Sequence, residues 1–322
     1  MTSSLVHALL LNGQGSAVEL TAEQVERWQP SDGKLWLHFD YGQSDSASWI
    51  REKLQLPSLA CDSLLAGETR PRSIATEQGG LLFLRGVHLN PEQTPEDMVS
   101  IRIYADEHKL ISTRKRRLLS VNHLKETLLA GKGPLSISQI ISQLSLGLIS
   151  RMENVIDNLD EQLDSFEQEL VTGQSNHSHQ ELSQIRRQTI TLKRYIKPQR
   201  DALKQFLSAK YPWFDANEEQ QLTESINHLT RFIEELDMAI ERAQIVYEEI
   251  ANVISEQVNK RMYIMSIVAA IFLPLGFLTG LLGINIGGVP GVENPYAFAI
   301  FVGFLVLLTL GLAGYFRFKK WI

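Results

Sequence analysis

The residues able to do chemistry are few and unevenly placed in this chain of 322 residues. No spacing among its histidines, carboxylates and hydroxyls makes a nucleophile–base pair, a phosphate-cradling loop or a cysteine–histidine metal motif, so an enzyme is not indicated. Cys61 is the only cysteine, which excludes an intrachain disulfide and a thiolate-rich metal site. His177-Ser178-His179 offers half of a tetrahedral zinc site in a polar loop, and a solvated loop is the plainer reading. His228 lies near an apolar helical seam and could meet its own copies or nearby acids across subunits; a solvated histidine is again the plainer reading. The most extended pattern is a stripe of small or soft residues: Met262, Ser266, Ala269, Leu273, Gly276, Gly280 and Gly283, at alternating helical steps of four and three. Gly276 and Gly280 form a small-xxx-small pair that permits close helix approach. The stripe reads equally as tight packing within one chain or as the lining of a narrow apolar pore. Two spans cannot enclose a pore, so the second reading requires several copies.

The stripe lies in a stretch without charge. Residues 262–292 contain no Lys, Arg, Asp, Glu or His, and neither do residues 294–316. Residues 262–283 and 296–316 are therefore expected to cross a membrane, each being about the ~20 residues that hydrocarbon requires. Pro274 falls within the first, which a membrane helix tolerates when neighbours resatisfy the backbone. Residues 284–295 form a short loop whose only charge is Glu293. Lys260 and Arg261 flank one span and Arg317, Lys319 and Lys320 the other, so the positive-inside rule places both termini in the cytosol and the loop outside. The apolar run Leu5–Leu11 has no basic residues before it and is too short for a signal core, which agrees with a cytosolic N-terminal part. The whole chain carries a formal charge of -6. This acidic balance argues against a nucleic-acid partner, which needs a basic footprint. The basic run Arg114–Arg117 is expected to pair with the acidic helices.

Residues 1–140 read as an α/β domain. Val6–Leu11, Leu35–Phe39, Gly80–Val87, Val99–Tyr104 and Leu110–Thr113 carry strand signals, with helical stretches at Ala47–Gln55 and Leu118–Leu129. Asn12–Gly15 reads as a hairpin turn. Residues 141–261 read as a helical stalk. One helix places Leu148, Val155, Leu159, Leu163, Phe166 and Leu170 on a face. A second, with Leu182, Ile185, Thr189, Leu192, Ile196, Leu203 and Phe206, is expected to kink or split at Pro198. A third carries Leu222, Ile226, Leu229, Ile233, Leu236, Ile240, Ala243, Tyr247, Ile250 and Ile254 as a heptad seam running straight into the first span. With neither Gly nor Pro between Trp213 and Leu273, residues 217–273 are expected to form one helix, and its seam calls for partner helices or subunits. Residues 317–322 form a basic tail.

Several segments together resemble a known family. Gly283-Ile284-Asn285 closes the first span, a short loop and a second span follow, and the chain ends in Lys319-Lys320-Trp321-Ile322. Phe272-Leu273-Pro274-Leu275 and Phe277-Leu278-Thr279-Gly280 are similar to the first span of CorA-type divalent cation transporters. Ile284, where the magnesium branch carries Met, and the loop Gly287-Gly288-Val289-Pro290-Gly291 resemble the zinc-transporting branch. So do Trp36–Tyr41, Ala66–Arg72, Ile111–Arg114 and Arg194–Asp201. The resemblance covers essentially the whole chain. It implies a funnel-shaped homopentamer in a bacterial inner membrane, with an α/β cytosolic domain, long stalk helices leading into a pore-lining first span, and an outer ring of second spans. Zinc is then the transported ion, with no bound cofactor, and uptake could be coupled to protons.

The resemblance also assigns residues. Asn285, which by itself reads as a helix C-cap, would ring the outer mouth with Gly283 and Ile284, its amide oxygens meeting a hydrated cation in its outer shell. Glu293 would concentrate cations there. Gly280, Thr279, Gly276, Leu273, Ala269, Ser266, Met265, Met262 and Asn259 would line the path down to the cytosol, with Met and Leu forming a hydrophobic gate. Proton coupling usually runs through intramembrane carboxylates or histidines, and neither span has one. A magnesium, cobalt or nickel channel of the same build, and a membrane-anchored coiled-coil sensor without flux, are the competing readings.

Overall fold

Strands covered on both faces need apolar residues at nearly every position. The sequence supplies such runs, and the computed structural model places them in one sheet. The structure describes residues 4–67, 70–88, 96–172, 179–284, 291 and 293–319. The elements are β1 (Leu5–Leu11), β2 (Ala17–Glu19), α1 (Ala22–Arg27), β3 (Lys34–Asp40), α2 (Ser46–Ser48, running on as a π turn Trp49–Lys53), α3 (Ser58–Leu65), β4 (Arg72–Ala75), β5 (Gly79–Gly86), β6 (Val99–Asp106), β7 (Lys109–Arg114), α4 (Leu119–Leu129), α5 (Ile137–Thr172), α6 (His179–Ser208), α7 (Ala216–Leu282) and α8 (Ala297–Phe318). They fall into two compact units, Met1–Tyr247 and Glu248–Ile322.

In the first unit the seven strands order as β2-β1-β3-β7-β6-β5-β4, antiparallel throughout except for the parallel pair β3–β7. The turn at Asn12–Gly15 is present. Asn12 Oδ1 accepts from the N–H of Gln14 at 2.8 Å, and Gly13 takes φ 72°, a conformation that favours glycine. On one face of the sheet Leu35, Leu37, Phe39, Leu81, Phe83, Tyr104 and Ile111 pack with Trp49, Ile50 and the α3 residues Ala60, Cys61 and Leu64. Helices α4, α5 and α6 pack against the sheet as well. Strand β5 is buried along its whole length as a result. The short elements β2, β4, α1 and α3 were not expected from the sequence; each is too brief to set up a clear hydrophobic period.

A polar cluster lies buried among β1, β3 and β7. Trp36 Nε1 donates to Ser112 Oγ at 2.9 Å, and Ser112 Oγ donates to the carbonyl of Leu37 at 3.3 Å. His38 Nδ1 lies 2.7 Å from the same oxygen, the donor of that pair being set by the imidazole tautomer. His7 stacks on His38 at 5.0 Å. The Nε2 atoms of both rings are buried without a hydrogen-bond partner.

The helices α5, α6 and α7 are joined by apolar faces and by ion pairs. Arg242 of α7 meets Asp160, Asp164 and Glu167 of α5, its Nε donating to Glu167 at 2.7 Å. The hydrogen bond to Glu167 is the largest cause of a guanidinium pKa raised above its ordinary value. Arg231 pairs with Glu153 at 2.5 Å, and Lys193 of α6 pairs with Asp237. All seven residues expected on the α6 face are buried. Pro198 does not split α6, which runs unbroken from His179 to Ser208. The missing N–H concerns a single bond, and the apolar residues Ile196, Leu203 and Phe206 hold both sides in place.

The α7 seam departs from expectation in an informative way. Leu222, Ile226, Leu229, Ile233, Leu236 and Ala243 are buried, whereas Tyr247 and Ile254 are exposed by 43% and 46%. Phe232, Ala239 and Val246 are buried beside the early seam positions. Beyond Val246 no residue of α7 is buried within the chain, so the outer seam positions have no covering neighbour there.

Both histidines titrate far below their ordinary range. His7 is pushed down to about 3, by burial first and then by Lys125 and Arg114. His38 is lowered by burial first, then by His7 and Arg114. The unfolded chain therefore binds more protons than the folded one below about pH 6.5, so stability from these groups is complete above that value and falls as pH drops toward 3, by at most ~1.4 kcal/mol per pH unit for each group. Thermal unfolding of the first unit should show a midpoint falling steadily from pH 7 to pH 5, and His7→Gln should flatten that slope. An unchanged slope in the variant would contradict the assignment.

Candidate functional site

Helix α7 is continuous over 67 residues, ~100 Å at 1.5 Å per residue. It passes Pro274 without a break. The part of α7 after Arg261 and the whole of α8 are apolar and long enough to cross a membrane. In the second unit only one strip of the membrane part of α7 is shielded at all, through Ile267, Ile271, Pro274, Leu275 and Leu278. A matching strip of α8 runs through Phe301, Leu305, Leu308 and Leu312 to the buried Phe316.

None of the expected lining residues falls on the shielded strip. Asn259, Met262, Met265, Ser266, Ala269, Leu273, Gly276, Thr279, Gly280 and Gly283 are all exposed, Leu273 by 79% and Met265 by 71%. A Cβ added at Gly276 or Gly280 would meet no atom within 4 Å. Glycine inside a helix is worth roughly 0.5–1 kcal/mol less than alanine. Among the described residues nothing calls for glycine at these two positions, as at Gly303, Gly311 and Gly314 of α8. Gly283 differs: its N–H donates to the carbonyl of Thr279 at 2.9 Å, and a Cβ there would lie 2.9 Å from the same oxygen. Close backbone approach at the end of α7, rather than a left-handed turn, is what suits glycine at 283.

The two hydroxyls on this face already use their protons. Ser266 Oγ donates to Met262 O at 2.9 Å, and Thr279 Oγ1 donates to Leu275 O at 2.9 Å. Their remaining lone pairs can only accept, which suits the hydration shell of a cation. Ile284 follows α7 and is exposed by 46%. Glu293 is exposed, one residue before Asn294, whose Oδ1 accepts from the N–H of Tyr296 at 2.9 Å at the entry to α8. Asn285 lies outside the described residues.

Among the described residues the histidines form no metal centre. His228 Nε2 lies 3.6 Å from Glu224 Oε1 one turn back on α7, and its ring sits 6.4 Å from that of Phe232. His177 lies outside the described residues; His179 opens α6, and its side chain is likewise outside them. Among the described residues no group of three or more His, Cys, Asp or Glu is placed to hold a metal ion within one chain. Sequence reasoning did not foresee that Ser266 and Thr279 would spend their protons on the backbone, although a hydroxyl in a membrane helix commonly bonds back by one turn.

The sequence profile described as CorA-like Mg2+ transporter protein matches residues 31–320. The divalent cation transporter CmaX of Pseudomonas aeruginosa is 39% identical over 323 residues, covering 99% of this chain and 95% of the relative. The zinc transport protein ZntB of Yersinia enterocolitica is 32% identical over 320 residues, covering 99% and 97%. The structure of full-length CmaX superposes with a TM-score of 0.84 at 36% identity, covering 98% of this chain and 97% of that one.

Since a Cβ at Gly280 meets nothing in the single chain, Gly280→Ala should leave the helicity of a detergent-dissociated chain unchanged. The same change should lower cation flux through the assembled protein if this face borders the path that the resemblance implies, because the added Cβ would narrow it. Unchanged flux would show that Gly280 does not border the path.

Proposed function

The chain belongs to the CorA-like Mg2+ transporter family, and from that premise we propose that it carries a divalent cation across a bacterial membrane, with zinc as the cargo. The observation that carries this reading is the exposed face of α7 from Asn259 to Gly283. It is apolar or small at every turn and has no intrachain neighbour to explain its glycines at 276 and 280. In a homopentamer these faces would converge on one axis and line a path. The second spans would lie outside them, and both termini on the cytosolic side.

Along such a path the chemistry runs in stages. Glu293 would raise the local cation concentration at the outer mouth. Five Asn285 amides would present neutral oxygens to a hydrated ion, which suits outer-shell contact better than a tight tetrahedral cage. Ser266 and Thr279 would add acceptor oxygens below. Leu273, Met265 and Met262 would form a constriction that closes by dewetting. A divalent ion entering the cell gains ~4.6 kcal/mol per 100 mV of membrane potential, so uptake needs no further drive. Residues 262–283 and 296–316 hold no carboxylate or histidine to relay protons. Coupling, where present, would use pore water, the loop or the cytosolic part.

Zinc is favoured by Ile284, by the glycine-rich loop and by the zinc transport relative. The divalent cation transporter relative is more similar overall, and its name leaves the ion open. A magnesium, cobalt or nickel channel is thus the second reading.

Flux into proteoliposomes separates these readings. Zinc should enter faster than magnesium, and an inward proton gradient should change the zinc rate if coupling exists. Magnesium faster than zinc would favour the second reading, and no flux of any divalent ion would contradict transport. In the same vesicles Asn285→Ala should lower zinc flux by roughly tenfold, the loss of about 1.4 kcal/mol of ion stabilisation. Leu273→Ala and Met265→Ala should each raise leak; wild-type rates in all three variants would contradict the assigned path.

A further inference from the structure

The basic run begins at the last residue of β7. Arg114 is buried at the end of β7, while Lys115 and Arg116 project beside a cavity of about 340 Å³ in the first unit. Tyr41, Arg85, Arg194 and Tyr195 share its wall. Two walls are stiffened by guanidinium–ring contacts. Arg85 lies over Tyr195 at 4.1 Å and donates from Nη1 to the carbonyl of Met98 at 2.8 Å. Arg194 lies over the same ring at 4.8 Å and donates from Nη2 to its hydroxyl at 2.9 Å. Behind Tyr41, the fully buried Arg102 stacks at 4.0 Å, and its Nε has no hydrogen-bond partner. These contacts hold the aromatic walls in fixed orientations.

Among the described residues, cations outnumber acids on the wall of this cavity. Lys115, Arg116 and Arg194 have no carboxylate partner among the described residues. Among the described residues Glu96 and Asp97 are the acids on its wall, beside the cations Lys115, Arg116 and Arg194, and Glu96 already accepts from Gln188 Nε2 at 3.2 Å. Like charges gathered without counter-charge raise the local potential, and the surrounding protein focuses it. Forked guanidiniums beside an ammonium match the several oxygens of a phosphate group. The volume is too large for a single inorganic ion and falls in the range of small-molecule sites, which is ~300–1,000 Å³. Four separate segments that carry the family resemblance, or directly adjoin it, meet here: Tyr41, Gly67, Lys115-Arg116 and Arg194-Tyr195.

We propose that this cavity binds a small phosphorylated anion of nucleotide size, its phosphates held by Lys115, Arg116 and Arg194 between the walls formed by Tyr41 and Tyr195. The site is independent of which cation the chain carries. Calorimetry on the full-length protein in detergent, at low salt and without divalent cations, tests it with ADP, pyrophosphate and adenosine as probes. ADP should bind and adenosine should not. Pyrophosphate binding as tightly as ADP would identify the phosphates as the whole ligand, and tighter binding of ADP would add the nucleoside; either supports the site. The double variant Lys115→Glu/Arg116→Glu, both positions being exposed, should keep the thermal unfolding of the parent and lose at least tenfold in ADP affinity. Arg194→Gln, with its charge removed and its stem kept, should weaken ADP as well. Absence of ADP binding at millimolar concentration, adenosine binding as well as ADP, or unchanged affinity in the double variant would overturn the proposal.

Discussion

Hydrocarbon admits neither an unpaired backbone amide nor an uncompensated charge, and the second unit is shaped by that constraint. Its described spans are helices, in which interior backbone groups other than the carbonyl freed by Pro274 are satisfied within their own segment, and residues 262–292 and 294–316 hold no Lys, Arg, Asp, Glu or His. Once charge is excluded, selectivity has to come from neutral oxygens, from the geometry of close approach and from residues just outside the apolar region. The exposed face of α7 is built of such materials. Amide oxygen at Asn259, hydroxyl lone pairs at Ser266 and Thr279, glycines at 276 and 280, and soft apolar side chains between them are what remains when carboxylates are forbidden.

The same helix is supported very differently along its length. As far as Val246 it is packed, through Leu229, Phe232, Leu236, Ala239 and Ala243, and tied to α5 by the three carboxylates around Arg242. Removing that guanidinium would leave Asp160, Asp164 and Glu167 repelling one another on one helix face. Each hydrogen bond to a charged group is worth ~1.5–3 kcal/mol when well shielded, and less at a side chain as open as this one. From Glu248 to Met262 nearly every residue is exposed within the chain, including Val253, Ile254 and Val258. An apolar residue every few positions on an uncovered helix is a surface awaiting partners. Further copies of the chain are the partners that the proposed path requires.

Much of this was legible in the sequence, because long periodic segments announce themselves. The spans, the continuity of α7 as far as Leu273, the buried face of α6 and five strands followed from apolar spacing alone. Short elements such as β4 and α3 left no such trace, since three to eight residues cannot define a period. That the seam loses its cover after Val246 was not foreseen, since a period does not report where the neighbouring helices end. The setting of the basic run was not legible either: charge composition indicates which partners are available, but the end of β7 places Lys115 and Arg116 at a cavity wall shared with β5 and α6. That juxtaposition is tertiary and has no sequence period. The stripe of small residues was legible by its spacing, its role as a lining came from the family resemblance, and the open space beside Gly276 and Gly280 emerged only from the structure.

The central claim is that the small-residue face of α7 borders a water-filled path in the assembled protein. Because Cys61 is the only cysteine and is buried, single cysteines placed along α7 report without background. The direct measurement is the rate at which a membrane-impermeant, charged thiol reagent modifies cysteines at successive positions from 262 to 280 in intact vesicles. Fast modification at 262, 266, 269, 273, 276 and 280, protected by the transported cation and slow at Phe272 and Phe277, is the result predicted. Uniformly slow modification along the span, or a reactive stripe on the face of Ile267, Ile271 and Leu278, would contradict the account.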